Sequence, residues 1–397
     1  MRLPRPRLAM GLGTLMLAVL LSGLWLGWRA KEAHAQARAV AMIYRQGGYV
    51  RYDNEDDDGE PIPGGMTRVP GWLRRGLGED AFRRVTRVIY MDLPICDEGL
   101  APLADLGEVQ ELRFVTSEGV LGVQYPPEVV GPRRLTESGL SRLGGLPRLR
   151  RLEIVVGSLN GSMLFRLDGS PRLEELRLVA TGIDDAGMPP LRTMTQLRIL
   201  EIEESPITGR CLGQLRGARN RERLTLYDCP VSTEGLGHIG AIAGLRSLDL
   251  LNSPVTDEGL SHLAGLTQLT ELCFNNADSR ITDAGLIHLR GLSRLRYLGL
   301  GSCQITGKGL WALEGMKRLR ELDLNNTPID DAGLEAVARL PDLEILKLHG
   351  TGVTDAGLVR LAGLKKLTRL TLMNTGVTRQ GFDRSRGALP ALTEVRW

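Results

Sequence analysis

Aromatic residues make up only 4% of this chain, and its cysteines number five, with no C-x-x-C pair among them. The first shortage leaves little for a surface that recognises sugars by ring stacking. The second argues against a disulfide framework and against a cysteine-based zinc site. A charge surplus is missing too: 50 Lys and Arg face 47 Asp and Glu. Arg2, Arg5 and Arg7 supply that whole difference, so nothing beyond position 7 draws the chain to nucleic acid. Catalytic motifs are equally scarce. There is no H-E-x-x-H and no G-x-S-x-G, and Gly301 to Lys308 has the wrong spacing for a phosphate loop, with Gly309 where Ser or Thr is needed. No enzyme is expected, and no cofactor and no metal site is called for.

What the chain has in quantity is leucine in a fixed rhythm and 49 glycines to turn it. The clearest copy is Leu245–Leu266, LRSLDLLNSPVTDEGLSHLAGL. With Val255 as anchor, equivalent residues are Ile95, Leu135, Leu159, Ile183, Ile207, Val231, Ile281, Ile305, Ile329, Val353 and Val377. The step is 24 residues nine times, 26 before Ile281 and 40 before Leu135. Leu245, Leu248 and Leu250 suit a strand with one buried face. Asn252, Ser253 and Pro254 turn the chain. Asp257 opens a helical turn whose Leu260 and Leu263 both face inward. A single unit buries too little to stand alone, so the units must stack into an α/β solenoid.

These residues resemble the leucine-rich repeat family, in its cysteine-containing and ribonuclease-inhibitor-like branches. Residues 245–266, 295–316, 319–340 and 343–364 carry the resemblance, and weaker copies extend it over about 85–397. It implies a curved, right-handed leucine-rich repeat array with parallel strands on the concave side and short helices on the convex side. It also implies a concave face that binds proteins. The cysteine-containing pattern favours Cys two residues before the anchor. Here Thr181, Ser205, Ser253, Thr327, Thr351 and Thr375 stand there, with Cys only at 229 and 303. Cys229 and Cys303 are three units apart, ~15 Å at ~4.8 Å per strand, too far to bridge; they read as small buried residues, whereas Cys273 is expected to point out from the concave strand.

Ahead of the repeats, Leu8 to Trp28 carries no charge and spans ~31 Å as a helix. This reads as one transmembrane helix, with Trp25 and Trp28 at the interface. A cleaved signal peptide is the alternative, since Ala33-His34-Ala35 offers a small-x-small site; the mature protein would then be secreted or periplasmic. Lysines and arginines are balanced across the two flanks, and the signal-like start places the repeats outside the cytoplasm. The expected division is an N-terminal signal-anchor at 1–31, a helix, acidic loop and cap at 32–84, and about twelve repeats at 85–397. Within the second part, Val40 and Ile43 are spaced for a helix that Gly47-Gly48 stops, and Tyr49–Tyr52 reads as a short strand. Asp53–Glu60 fails as a calcium loop, because Gly65 falls where a bidentate Glu is required. Trp72 to Val85, with Asp80 as N-cap, reads as a cap helix. The insertion at 115–131 suits packing against that cap or a partner-binding flap. At the far end, Phe382 keeps a core position and Leu392–Trp397 supplies a last edge strand.

Function is therefore expected on a surface. Residues flanking the strand leucines face the concave side: Arg151, Glu153, Glu175, Arg177, Glu201, Glu203, Tyr227, Asp249, Asn275, Tyr297, Asp323, Asn325, Lys347 and His349. Glu204 and Asp228 stand just past their strands. The middle, around Glu201, Glu203, Glu204, Asp228 and Asp249, is locally acidic and fits a protein partner with a basic patch. The alternatives are a merely solvated face and a cell-envelope receptor for carbohydrate or another small ligand, using Tyr227 and Tyr297. His238, His262 and His288 share one outer column, which repeat inheritance explains without a metal.

Overall fold

The structure is a computed structural model. It describes residues 12–56, 60, 62, 74–75, 82–91, 97–115, 142–155, 170–180, 182–217, 220–275 and 280–397. The anchors Ile95, Leu135 and Leu159, together with Asp80, Cys96, Thr181 and nearly all of the 115–131 insertion, lie outside the described residues.

One helix, α1 (Leu12–Arg45), opens the described chain and runs without a break for 34 residues, ~51 Å at 1.5 Å per residue. It is long and apolar enough to cross a membrane. Its first half is not packed against the other described residues: Leu15, Leu20 and Leu24 are all more than half exposed. Its last turns are docked instead. Ala39, Val40 and Ile43 enter the core, while the Gln36 amide accepts from the Val85 N–H at 3.2 Å and donates to the Arg83 carbonyl at 2.9 Å. Gly47, at φ 68°, turns the chain into β1 (Gly48–Tyr52), which lies antiparallel to β2 (Val85–Met91). The first repeat is thus capped by α1 and β1. A cap helix reaching Val85 is not formed, because Val85, Val88 and Tyr90 place one buried face at a largely two-residue spacing that suits β-branched residues in a strand.

From β2 onward every strand is parallel to the next: β3 (Glu111–Val115), β4 (Arg151–Val155), β5 (Glu175–Val179), β6 (Ile199–Glu203), β7 (Arg223–Tyr227), β8 (Ser247–Asp249), β9 (Glu271–Cys273), β10 (Tyr297–Gly299), β11 (Glu321–Asp323), β12 (Ile345–Lys347), β13 (Arg369–Thr371) and β14 (Glu394–Arg396). One leucine per strand holds the register, from Leu112 and Leu152 through Leu248 to Leu370, and each is buried. The edge strand expected at the C-terminus is β14; beside it Trp397 meets the buried Phe382 edge-on at 5.1 Å. Strand length changes along the array. β3 to β7 have five residues each, and β8 to β14 have three.

The convex side changes at the same place. Before Thr233 its described helices are 3-10, such as Asp97–Asp105 and Arg210–Leu215. From Thr233 onward short α-helical turns recur, several opened by the sequence T-D-x-G-L. Thr256, Thr282 and Thr354 each cap their own turn. The following Asp reaches across to the next repeat: Asp257 accepts from the Thr282 N–H at 2.8 Å and hydroxyl at 2.6 Å, and the pairs Asp283–Thr306, Asp331–Thr354 and Asp355–Thr378 repeat the contact. That carboxylate occupies the space where a side chain on the next repeat's glycine would go. A Cβ at Gly285, Gly309, Gly357 or Gly381 would overlap it.

Between strand and convex side runs a column of left-handed residues: Ala180, Glu204, Asp228, Asn252, Ser302, Asn326, Gly350 and Asn374, with φ of 49° to 68°. Their N–H groups extend the ladder past the strand ends, as where Glu204 donates to the Tyr227 carbonyl and Asp228 to that of Leu251. Among the described residues, the Thr and Ser in place of Cys are satisfied internally. Thr327 and Thr351 donate to the carbonyls three residues earlier, and Ser253 to that of Leu226. Cys229 and Cys303 are buried, as their column implies, and form no disulfide among the described residues.

Candidate partner-binding face

The five-residue strands set two neighbouring columns on the concave face. One reads Arg87, Glu111, Arg151, Glu175 and the other Arg113, Glu153, Arg177, Glu201, in register from β2 or β3 onward. Charge alternates at every step, which places opposite signs directly across from one another. Glu111, only 7% exposed, is held by Arg87 at 3.5 Å, by Arg113 and by Arg151. Arg177 lies 2.9 Å from Glu153, 3.5 Å from Glu201 and 3.0 Å from Glu203. Burial works against its charge, but Glu203, Glu153 and Glu201 outweigh this and raise its pKa.

The alternation ends at β6. Opposite Glu175 comes Ile199, and opposite Glu201 comes Thr225. Glu201 is half-buried, and burial pushes its carboxyl above the usual range despite Arg177. Beyond it, Glu204 and Asp228 occupy the left-handed column and are exposed. Among the described residues neither side chain makes a hydrogen bond or ion pair. With Glu203 and the partly exposed Tyr227 of β7 they form an acidic lip at the midpoint of the sheet.

Past the lip, the expected site residues are committed to the sheet itself. Asp249 accepts from the Leu251 N–H at 3.0 Å, and burial pushes its carboxyl up. Asn275 accepts from the Gly301 N–H at 2.6 Å and donates to Asp323 at 3.3 Å. Asp323, 5% exposed, accepts from the Asn325 N–H at 3.0 Å, and Asn325 accepts from the His349 N–H at 2.8 Å. Lys347 sits 2.7 Å from Glu321 and 3.7 Å from Asp323. The Tyr297 ring lies 6.0 Å from the Lys347 ammonium, and its hydroxyl lies 3.7 Å from the Cys273 sulfur.

Cys273 does not point free into the concavity. It is 7% exposed, because Tyr297 on the next strand closes over it, and burial pushes its thiol up to about 11. The outer histidines differ among themselves: His238 is half-buried 3.9 Å from Glu234, and His262 is exposed. Among the described residues no cluster of three or more His, Cys, Asp or Glu is arranged to hold a metal. Arg87, Glu111 and Arg113 belong to the face although a reading that starts at Arg151 passes them by. Their signal is the alternation of E-L-R at 111–113, R-L-E at 151–153 and E-L-R at 175–177.

The class of protein follows from this geometry. A leucine-rich repeat model matches residues 317–338. An internalin from Listeria monocytogenes is similar over 79% of this chain and 86% of its own, at 19% identity and a TM-score of 0.56. A leucine-rich repeat protein of Leptospira interrogans is similar at 15% identity over 79% of this chain and 90% of its own, with a TM-score of 0.46. The ectodomain of a plant membrane receptor kinase from Arabidopsis thaliana matches at 17% identity and a TM-score of 0.45, over 79% of this chain and 38% of its own. A search of the curated proteins finds no match. The chain has the leucine-rich repeat fold, a solenoid of parallel strands, with one long apolar helix near its N-terminus among the described residues.

Proposed function

We propose that the chain is a membrane-tethered protein-binding scaffold whose partner docks on the acidic lip of the concave face. Residues 1–31 serve as the anchor, 32–84 as the connecting cap and 85–397 as the recognition solenoid, held outside the cytoplasm. The observation that carries this reading is the break in charge pairing at β6. Upstream each concave acid has an arginine across from it. At the break, exposed Glu204 and Asp228 stand beside Glu203 with no compensating partner of their own. Such a surface attracts a basic patch or loop and accelerates its encounter at low salt. Glu201 and Tyr227 flank the lip, while Asp249, Asn275, Tyr297, Asp323 and Asn325 act chiefly by stiffening the surface beside it. A carbohydrate receptor is less well supported, because Tyr297 is engaged by Cys273 and Lys347, which leaves Tyr227 as the accessible ring.

Affinity capture with the full chain, comparing wild type with Glu203→Lys, Glu204→Lys and Asp228→Lys combined, tests the reading. Loss of the captured partner by about two orders of magnitude is expected. Unchanged capture would refute the site. Protease shaving of intact cells checks the orientation, which fails if the repeats stay untouched.

A further inference from the structure

Where α1 leaves its apolar stretch and meets the solenoid, a recess opens. This cavity of about 260 Å³ is lined by Arg29 and Glu32 of α1, by Arg84 just before β2, by Asp105 and Glu108 of the first repeat and by Arg148 of the next. Its volume falls just below the ~300–1,000 Å³ of drug-sized sites, a scale that suits a small charged group. The lining carries both signs, and its pairing is incomplete. Arg84 and Arg148 share the one carboxylate of Glu108. Arg29 reaches Glu32 at 3.1 Å through one terminal nitrogen, while its buried Nε has no hydrogen-bond partner. Asp105 makes no ion pair among the described residues. Arg83, which also borders the cavity, turns away to Glu55 and the Tyr52 ring.

The position of this recess along α1 is the second observation. Trp28 ends the uncharged run that begins at Leu8. Glu32 and Gln36, the cavity's α1 residues farther on, then lie ~6 and ~12 Å beyond it along the helix axis. That interval overlaps the headgroup layer, which adds ~5–8 Å per leaflet to the hydrocarbon core. Because α1 is continuous and docked at its far end, the recess is held at that depth.

We propose that the recess binds a phosphoethanolamine group, supplied by an ethanolamine phospholipid of the surrounding bilayer. Arg29, Arg84 and Arg148 take the phosphate through charge-assisted hydrogen bonds, and Asp105 with Glu32 takes the primary ammonium. A choline headgroup has no N–H to give these acids, and a glycerol headgroup has no cation to oppose them. The inference rests on the reading of residues 8–28 as a membrane anchor.

The test uses the full chain in nanodiscs made from an equimolar mixture of phosphatidylcholine, phosphatidylethanolamine and phosphatidylglycerol. Native mass spectrometry then reads which lipid stays bound when the disc is stripped. Retention of phosphatidylethanolamine above the other two is expected. It should fall about tenfold in Arg29→Gln and in Asp105→Asn, the loss of one charge-assisted hydrogen bond in each case. Both variants should keep the wild-type thermal midpoint. Equal retention of all three lipids, or retention unaffected by both variants, would overturn the proposal. Preference for phosphatidylglycerol would leave an anion site only and overturn it as well. Thermal protection by soluble phosphoethanolamine without any retained lipid would assign the group to a soluble source, against the lipid. Carbonate washing of membranes separates the two layers of inference. Release of the chain by carbonate overturns the anchor and this site together, whereas a carbonate-resistant chain without lipid preference overturns this site alone.

Discussion

The first half of the solenoid and the second stack the same leucine column, yet they join repeat to repeat by different means. From β2 to β6 the concave strands are long and coupled by alternating arginine and glutamate, with 3-10 turns behind them. From β8 to β14 the strands shorten to three residues, and the coupling moves largely into turns: the convex Asp-to-Thr contact, made in the first half by Asp185 and Thr208, now recurs from repeat to repeat, and Asn275, Asp323 and Asn325 join it on the concave side. The leucines set the stacking direction in both halves. What varies is which polar side chains are left unpaired among the described residues, and exposed Glu204 and Asp228 fall at the seam, where the charged columns have ended and the amide ladder has not begun.

The largest effect that would sharpen this comparison comes from a single methyl group. Gly285→Ala forces a Cβ into the Asp257 carboxylate and should cost about 1–3 kcal/mol. Gly107→Ala, in the first half with nothing within 4 Å, should stay within about 0.5 kcal/mol of wild type. Urea unfolding measures both, and equal costs would contradict the reading that the Asp257 carboxylate fills the space beside Gly285. Next comes Glu111→Gln. It leaves Arg87, Arg113 and Arg151 without their shared carboxylate, at about 1–2 kcal/mol, because the arginines are exposed enough to regain water. A cost that persists unchanged in high salt would argue that packing, not charge, holds this half.

The smallest effect is one of pH. Asp185 is pushed up by burial, but hydrogen bonds from the Cys211 N–H and from the Thr208 hydroxyl and N–H outweigh this and hold it below the usual carboxylate range. Its contribution is present above the ordinary aspartate pKa of 3.8 and is lost as pH falls through the lower folded value. Glu201 and Asp249 have the opposite sign: their raised pKa values make them a cost that grows as pH rises from the ordinary to the folded value. Thermal midpoints of wild type and Asp185→Asn should therefore differ by about 1 kcal/mol equivalent at neutral pH. They should converge as pH falls through the lowered folded value of Asp185, and parallel curves would contradict the assignment.

Much of this architecture was legible in the residues themselves. The leucine spacing marks the register, Val40 and Ile43 mark a helix face that is indeed buried, and Leu392–Trp397 marks the closing strand. The charged columns were harder to read, because a pairing between Arg177 and Glu201 is a contact across strands 24 residues apart, and only the reversal from E-L-R to R-L-E betrays it. The role of Asp257 was hidden for the same reason: its partner Thr282 lies in the next unit. Cys273 misled because strand alternation gives a direction and says nothing of the tyrosine that covers it. Arg221 was not legible at all. It occupies the column of Leu197 and Leu245, and its buried guanidinium donates to the carbonyls of Leu197 and Met194.

The central claim is that a partner sits on the seam. Hydrogen exchange of the full chain, with and without the captured partner, tests it most directly. The account predicts slowed exchange at the backbone of Glu203, Glu204, Tyr227 and Asp228, with the convex turns unchanged. Protection confined to the convex turns, or to the alternating columns of β2 to β5, would contradict it.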